Sequence, residues 1–388
     1  MINNNDFKTP YYLFDESILH KHIAEMKTIR EKYTGDDLRF CYAVKANSFL
    51  IPYIDKDVDY FEVCSWGELK ICMKYGVDPE KIILSGVNKE AGMISDAVKY
   101  GIRVFTVESM HQYHEIVRQA KDTDTDVQLL PRLSNGAQFG MDERCIEEII
   151  SDSSIRAGVK IIGIHYFTGT QKKKFSKIES ELKLLEEFFA ELRSKYGVEP
   201  ELLEYGPGLG VPYFIGDDFD NCYSVYEEMV SYIASAKYSY HVNLEMGRFF
   251  AASCGEYVTS VADVKGTPDA PILILDGGRN HISYYGQNMV MKTPLIESER
   301  KGENDEVPCD LYGSLCSFND MIARAVMISN PKIGDRLIFK NIGAYSITEG
   351  IYLFLSRDLP AVYAKEEDGQ CKMLRNGNPI YETNCLNK

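Results

Sequence analysis

Lys45 closes an apolar run in FCYAVKANS, residues 40–48. Lysine is seldom buried without a partner. Two readings are open: a strand-end lysine whose stem covers apolar surface while its amine reaches water, or an amine placed for carbonyl chemistry. Three other stretches bear on the choice. GPGLG, residues 206–210, contains Gly206 and Gly208 in a loop whose backbone N–H groups can approach an anion. LEMGR, residues 244–248, sets Glu245, Gly247 and Arg248 in one short run. HYFTGT, residues 165–170, carries His165, Phe167 and Thr170. Together these supply a nucleophilic amine, a carboxylate and an anion cradle.

Such residues act together only if the fold gathers them. Short apolar runs recur between Arg39 and Arg248: RFCYAVKA, DYFEVCS, KIILSG, RVFTVES, DVQLLPRL, IIGIHYF, LLEYGPG and HVNLEMGR. Amphipathic segments separate them, such as FSKIESELKLLEEFFAELRSKYG, which ends on Gly197 as a helix should. Strands alternating with helices imply a parallel sheet with right-handed crossovers, and eight such units imply a closed (β/α)8 barrel. A doubly wound open sheet is the alternative. After Val261 the pattern changes to alternating apolar and polar residues between Gly/Pro turns, as in APILILDGG and GDRLIFKNIGAY. The expected organisation is a barrel over residues 23–261 and a C-terminal antiparallel β-domain over 262–388. TPYYLFDE, within residues 1–22, would join that second domain.

A barrel of this kind puts its active site at the C-terminal strand ends. The ends offer Lys45; Glu62, Cys64 and Glu68; Arg132; His165, Phe167 and Thr170; the GPGLG loop; and Glu245, Gly247 and Arg248. One lysine, one carboxylate and one anion site at a single rim suggest pyridoxal phosphate. Its aldehyde needs an amine for a Schiff base, and its ring nitrogen needs a partner that keeps it protonated. Glu245 is the candidate partner; a rim ion pair with Arg248 is the alternative, as a plain tight turn is for GPGLG.

Composition narrows the classes. The net charge of −15 leaves no basic stripe for nucleic acid. The one basic run, QKKKFSK at residues 171–177, reads as a solvated loop or as a clamp on an anionic substrate. No stretch has the length of apolar residues needed to span a membrane, and the polar start MINNNDFKTP lacks a signal-peptide core. Ten dispersed cysteines without a CxxC pair read as reduced thiols, so the expectation is a cytoplasmic protein. His111 and His114 share a helical face without a third ligand nearby, and no metal site is expected.

Five motifs in order then carry a resemblance: YAVKANS, EYGPGLGVPYF, EMGRFFAASCG, GSLCSFND and GDRLIFKNIGAYS. The chain resembles the fold-type III pyridoxal-phosphate decarboxylases, the family of diaminopimelate, ornithine and arginine decarboxylases, over nearly its full length. The resemblance implies an alanine racemase-like barrel-plus-β-domain architecture. It implies that Lys45 carries the cofactor and Glu245 pairs with the ring nitrogen. Gly206, Gly208, Thr170, Arg248 and Tyr345 would hold the phosphate, with Gly247 beside them. Glu62 and Glu68 would help to position Lys45. Cys316 would protonate Cα after carbon dioxide leaves. The cysteine segment would come from a partner subunit, making a homodimer with shared active sites.

The chain also departs from the family pattern. Phe167 stands where the ring-stacking histidine is usual, and Thr170 where the phosphate-binding serine is. His165, two residues earlier, is a packed barrel histidine or a catalytic one. Ser317 follows Cys316 where diaminopimelate decarboxylases have glutamate, and Tyr284 lies near their substrate-binding arginine. Asp276 could take a distal amine. Arg279 and His281 add positive character that would reach a distal carboxylate or simply decorate a loop. The expected substrate is a diamino acid or a carboxylated or acylated derivative, of the siderophore- or polyamine-precursor type. Diaminopimelate decarboxylation, an amino-acid racemase and a non-catalytic cofactor-binding regulator are the alternatives. A racemase would want tyrosine where Cys316 stands, and a dead regulator should lack Lys45 or Cys316.

Overall fold

The computed structural model describes residues 7–34, 37–152, 158–218, 221–285, 291–300 and 306–386. They form two compact units: Ile23–Gly210 with Asp220–Phe249, and Met1–His22 with Val211–Phe219 and Phe250–Lys388. The expected boundary at Val261 falls inside a strand, and the division lies instead near Phe250.

In chain order the elements begin with β1 (Tyr11–Asp15) and α1 (Glu16–Tyr33). The alternating region follows: β2 (Leu38–Ala43), α2 (Ile51–Ile54), β3 (Tyr60–Val63), α3 (Trp66–Tyr75), β4 (Ile82–Leu84), α4 (Ala91–Tyr100), β5 (Val104–Val107) and α5 (Met110–Asp122). It continues with β6 (Val127–Pro131), α6 (Glu143–Ile150), β7 (Val159–Ile161), β8 (Gly163–Phe167), α7 (Phe175–Tyr196), β9 (Leu202–Gly206), α8 (Asn221–Ala236) and β10 (His241–Met246). Then come α9 (Arg248–Ala251), β11 (Gly255–Thr267), β12 (Ala270–Leu275), β13 (Ile296–Ser298), β14 (Glu306–Tyr312), β15 (Met321–Ser329), β16 (Arg336–Phe339), β17 (Ala361–Lys365) and β18 (Cys371–Arg375).

Among the described residues, β2 to β10 form one parallel sheet in the order β7-β6-β5-β4-β3-β2-β10-β9-β8. The ends meet where Leu133 N–H donates to the His165 carbonyl at 3.0 Å and Ile162 N–H to Leu129 at 3.1 Å. Cys41, Ile83, Leu130, Ile162 and Leu202 pack into one buried cluster. Cys41, Ile83 and Leu130 come from β2, β4 and β6, and side chains of alternate strands meet only inside a closed barrel. The interior is therefore a packed floor, each aliphatic side chain in it contributing about 1.5–3 kcal/mol by burial. The expected sixth strand, IIGIHYF, is interrupted at Ile162, so eight expected strands become nine: β7 pairs with β6, and β8 with β9. Helices start close to the strand ends because serines cap them. Ser65 Oγ accepts the Glu68 N–H at 3.2 Å, and Ser109 Oγ the Gln112 N–H at 3.2 Å.

In the second unit the sheet runs β15-β14-β12-β11-β1-β17-β18, with β16 also on β11 and β13 on β16. β1 pairs antiparallel with β11 and parallel with β17, so the opening strand sits among C-terminal ones. The other ladders are antiparallel except β12 with β14. Phe7, Tyr11, Leu13, Val258 and Tyr363 pack one core cluster, in which the Phe7 and Tyr363 rings stack at 3.8 Å. No helix among the described residues is long and apolar enough to cross a membrane.

Candidate active site

The strand expected to run through Lys45 stops at Ala43. The chain then turns through a short 3-10 segment, Val44–Ala46, that lifts Lys45 onto the rim. Asn47 fixes the turn: its Oδ1 accepts the Phe49 N–H at 3.0 Å, and its carbonyl accepts the Tyr42 hydroxyl at 3.0 Å. Gly247 makes room for it, since a Cβ there would lie 2.7 Å from Ala46 Cβ.

Lys45 Nζ lies 2.8 Å from Glu62 Oε2 and 3.2 Å from Glu245 Oε1. Cys64 Sγ is 3.6 Å from the same amine and donates to Glu62 Oε1 at 2.6 Å. Burial, and then the Glu62 charge, push the Cys64 thiol well up, so it stays a neutral donor. His165 is 1 % exposed, and its Nε2 lies 2.9 Å from Glu245 Oε2. Burial alone would raise the Glu245 carboxyl. The Lys45 ammonium and the His165 hydrogen bond outweigh it and hold Glu245 well below the usual carboxylate range. The cluster is thus an amine and a buried anion joined to a histidine. Of the two readings of His165, the geometry favours a residue that orients Glu245. Phe167 lies two residues on, its ring against Gly206.

Glu68 is bonded within its own turn. Its carboxylate accepts the Cys64 N–H at 2.7 Å while Ser65 caps the Glu68 N–H, the reciprocal pattern of a helix start. Burial raises its pKa. Glu68 holds the β3–α3 turn, and Glu62 is the carboxylate on Lys45.

The glycine loop and the Thr170 loop zip together. Lys172 N–H donates to the Gly208 carbonyl at 2.9 Å, and Gly210 N–H to the Lys172 carbonyl at 3.0 Å. At Gly208 φ is +61°, and a Cβ would lie 1.9 Å from the Gly169 oxygen. Glu181 anchors this pair of loops, taking Lys172 Nζ at 2.7 Å, the Tyr205 hydroxyl at 2.6 Å and the Thr168 hydroxyl. Lys172, read in sequence as part of a basic run, is therefore buried and paired. Lys173, Lys174 and Lys177 are exposed. Arg248 opens α9 and is buried.

Sequence reading passed over two strand ends. After β5, Glu108 pairs with Arg132 Nη1 at 2.7 Å. After β4, Lys89 is buried and bonds Gly86 O at 2.8 Å, Gln112 Oε1 at 2.9 Å and Thr106 Oγ1 at 3.2 Å. Burial pushes its amine down to about 8. The rule that found Lys45, reading the strand ends, would have found both.

The other expected residues lie in the second unit. Asp276 is committed to structure: it accepts Thr259 Oγ1 at 2.6 Å, the Ser260 N–H at 2.9 Å and Thr9 Oγ1 at 2.5 Å. It offers no distal-amine site. His281 is 3 % exposed, with Nδ1 2.8 Å from the Tyr257 hydroxyl and Nε2 2.9 Å from Asn280 Nδ2. Burial, with Arg357 and Arg375 adding to it, pushes His281 down to about 3, so it is neutral and brings no positive charge. Tyr284 is buried, its hydroxyl donating to the Lys340 carbonyl at 2.8 Å. Tyr345 takes φ +67°, and its carbonyl accepts the Thr348 and Glu349 N–H groups. Cys316 is exposed on a loop held by Asp320, whose Oδ2 accepts the Leu315 N–H at 2.6 Å and whose Oδ1 accepts the Arg279 N–H at 2.9 Å. Arg279 and Ser317 line one cleft beside that loop.

A closed barrel with a rim lysine held between two carboxylates, one of them a buried anion, defines the class of barrel enzymes that carry a carbonyl cofactor on lysine. Residues 19–252 match the model of the pyridoxal-dependent decarboxylases, pyridoxal binding domain, and the chain belongs to that family. Among curated relatives, the L-glutamyl-(BtrI acyl-carrier protein) decarboxylase of Niallia circulans is 26 % identical, over 95 % of this chain and 91 % of its own. The diaminopimelate decarboxylase of Campylobacter jejuni is 24 % identical, over 95 % and 94 %. The solved diaminopimelate decarboxylase from M. jannaschii in complex with L-lysine superposes with a TM-score of 0.87 at 23 % identity, covering 98 % of this chain and 93 % of its own. The residues fit pyridoxal phosphate: Lys45 is an amine for the aldehyde, and Glu245 is an ionised, buried carboxylate that suits a protonated ring nitrogen.

Proposed function

We propose that the chain releases carbon dioxide from Cα of a diamino acid or of its carboxylated or acylated derivative, as a cytoplasmic homodimer with shared active sites. One observation carries this reading: Lys45, Glu62, Glu245 and His165 converge on one rim. When bound, pyridoxal phosphate supplies an electron sink for the pair left at Cα as carbon dioxide departs. Lys45 would hold its aldehyde carbon, and Glu62 orients that amine. Glu245, held ionised by Lys45 and His165, would keep the ring nitrogen protonated. Phe167 would pack against the bound cofactor where the family has histidine. Gly206, Gly208, Thr170, Gly247 and Arg248 would hold the phosphate. The Cys316 thiol delivers a proton to Cα.

The substrate assignment is supported by what the expected handle positions do: Tyr284 points into its own unit, and Ser317 is not a carboxylate. The relatives' names span glutamyl-carrier, diaminopimelate and lysine/ornithine decarboxylases. Diaminopimelate is the second reading, favoured by the full-length match to those enzymes. A screen for carbon dioxide release across diamino acids and their carboxylated or acylated derivatives tests the proposal. Amine product with stoichiometric carbon dioxide is expected; inversion at Cα without carbon dioxide would indicate a racemase instead.

A further inference from the structure

Four buried polar side chains form a row along the barrel wall. Asn243 of β10 is the register partner of Glu204 of β9, and Glu204 is that of His165 of β8. A bridge continues the row from His165 to Arg132, just after β6. Register partners on parallel strands share a face of the sheet. For Glu204 and His165 that face is the interior. His165 reaches Glu245 across β9, and the Cys41 thiol of the packed floor neighbours the Glu204 carboxyl from β2. Asn243 and Glu204 are fully buried, His165 is 1 % exposed and Arg132 8 %.

Each of the four has one buried polar atom without a hydrogen bond among the described residues: Asn243 Oδ1, Glu204 Oε1, His165 Nδ1 and Arg132 Nε. Buried polar atoms are normally bonded, either to protein or to ordered water. Four of them on neighbouring strands make a polar seam of the kind that enclosed water fills.

The donors and acceptors of this seam balance in one way. Arg132 Nε–H donates. Asn243 Oδ1 accepts, because Asn243 Nδ2 already donates to Glu204 Oε2 at 2.8 Å. Glu204 forms no ion pair among the described residues, and a carboxyl so buried takes up a proton rather than carry an uncompensated charge. Burial first, then the Glu245 charge, with Glu62 adding to it, push its pKa well up. Oε2 is an acceptor, so the proton belongs on Oε1, the second donor. His165 supplies the second acceptor when its ring hydrogen sits on Nε2, facing Glu245 Oε2 at 2.9 Å. With the hydrogen on Nδ1 instead, the seam would hold three donors and one acceptor, and Glu245 would face a lone pair.

We propose that the Glu204 carboxyl donates, through an enclosed water, to His165 Nδ1 and thereby fixes the imidazole with Nε2–H aimed at Glu245. Glu204 is a positioning residue that acts on the partner of the ring nitrogen through His165. Its effect on turnover rests on the decarboxylase reading; the seam itself does not.

The test uses cofactor-loaded protein at neutral pH: wild type, Glu204→Gln, which keeps a donor, and Glu204→Leu, which has none. Thermal melting establishes that each is folded. The infrared difference between wild type and Glu204→Gln is expected to show the carbonyl band of a protonated carboxylic acid in wild type. Nitrogen NMR of histidine-labelled protein reads the tautomer, the His165 signals being those lost in His165→Gln. Nε2–H is expected in wild type and Glu204→Gln, with a shifted Nδ1 signal in Glu204→Leu. On the substrate found by the carbon dioxide screen, kcat falls about tenfold in Glu204→Leu at unchanged KM, the worth of one hydrogen bond, and Glu204→Gln recovers part of it. An ionised Glu204, an Nδ1–H tautomer in wild type, a His165 signal indifferent to Glu204→Leu, or a wild-type kcat in that variant overturns the proposal. If Glu204→Leu does not fold, the infrared band and the wild-type tautomer decide it. Failure of the decarboxylase reading shows differently: the infrared and NMR results come out as expected, but no substrate releases carbon dioxide.

Discussion

Replacing Lys45 by alanine removes the cation between Glu62 and Glu245 and leaves two carboxylates facing a buried site. The expected outcome is loss of both the visible absorbance of lysine-bound cofactor and carbon dioxide release, read by spectrophotometry and by product assay. Cys316→Ala separates the two: absorbance stays, and kcat falls about 10²- to 10⁴-fold, the usual contribution of one general acid. His165→Leu leaves a Glu245 oxygen without its 2.9 Å partner. An unpaired buried acceptor costs about 1–3 kcal/mol, to be measured by denaturant titration. At this scale Lys45, Glu62 and Glu245 were legible because each stands at the C-terminal end of a strand, Glu62 and Glu245 within it and Lys45 just past it. The corrections are Asp276 and His281, polar residues whose commitment to protein partners the local pattern does not reveal. Thr9, 267 residues from Asp276, is one such partner.

Elements set how tightly those residues are held. The loops carrying Gly208 and Thr170 touch backbone to backbone, and a methyl at Gly208 meets both a carbonyl and a positive φ. Gly208→Ala is expected to lower stability by about 1–3 kcal/mol and to weaken cofactor retention. Melting temperature and cofactor release on dialysis check this. Helix ends at Gly76, Gly101 and Gly197 were readable from sequence, because glycine relieves the left-handed turn that each needs. The turn at Val44–Ala46 was not readable. An apolar run followed by lysine looks like a longer strand, and what ends it is Asn47, buried and capping.

For the molecule as a whole, His281 gives a pH signature. Its pKa lies near 6.5 when exposed and near 3 in the fold, so between those values the unfolded chain binds more protons. Stability is full above about pH 6.5 and falls as pH drops toward 3, by up to about 1.4 kcal/mol per unit. His281→Gln should flatten this part of the profile in urea midpoints taken at intervals across that range. If active sites are shared between subunits, mixing inactive Lys45→Ala with inactive Cys316→Ala protein should restore activity. Random pairing gives about a quarter of wild-type activity, because half of the dimers carry one intact site. No recovery after mixing would refute the shared site.

By itself the sequence determined the alternation of strands and helices, the switch to a β-rich second part, and the rim positions of Lys45, Glu245 and the glycine loop. These follow from local period and from the rule that barrel strand ends carry the chemistry. Only the tertiary structure decided which polar side chains remain available for ligands. It committed Asp276 and His281 to hydrogen bonds inside the β-sheet unit, turned His165 onto Glu245, and buried Lys89. The reason is physical: a buried polar group must be paired, and its partners are brought to it by the fold, not by sequence distance.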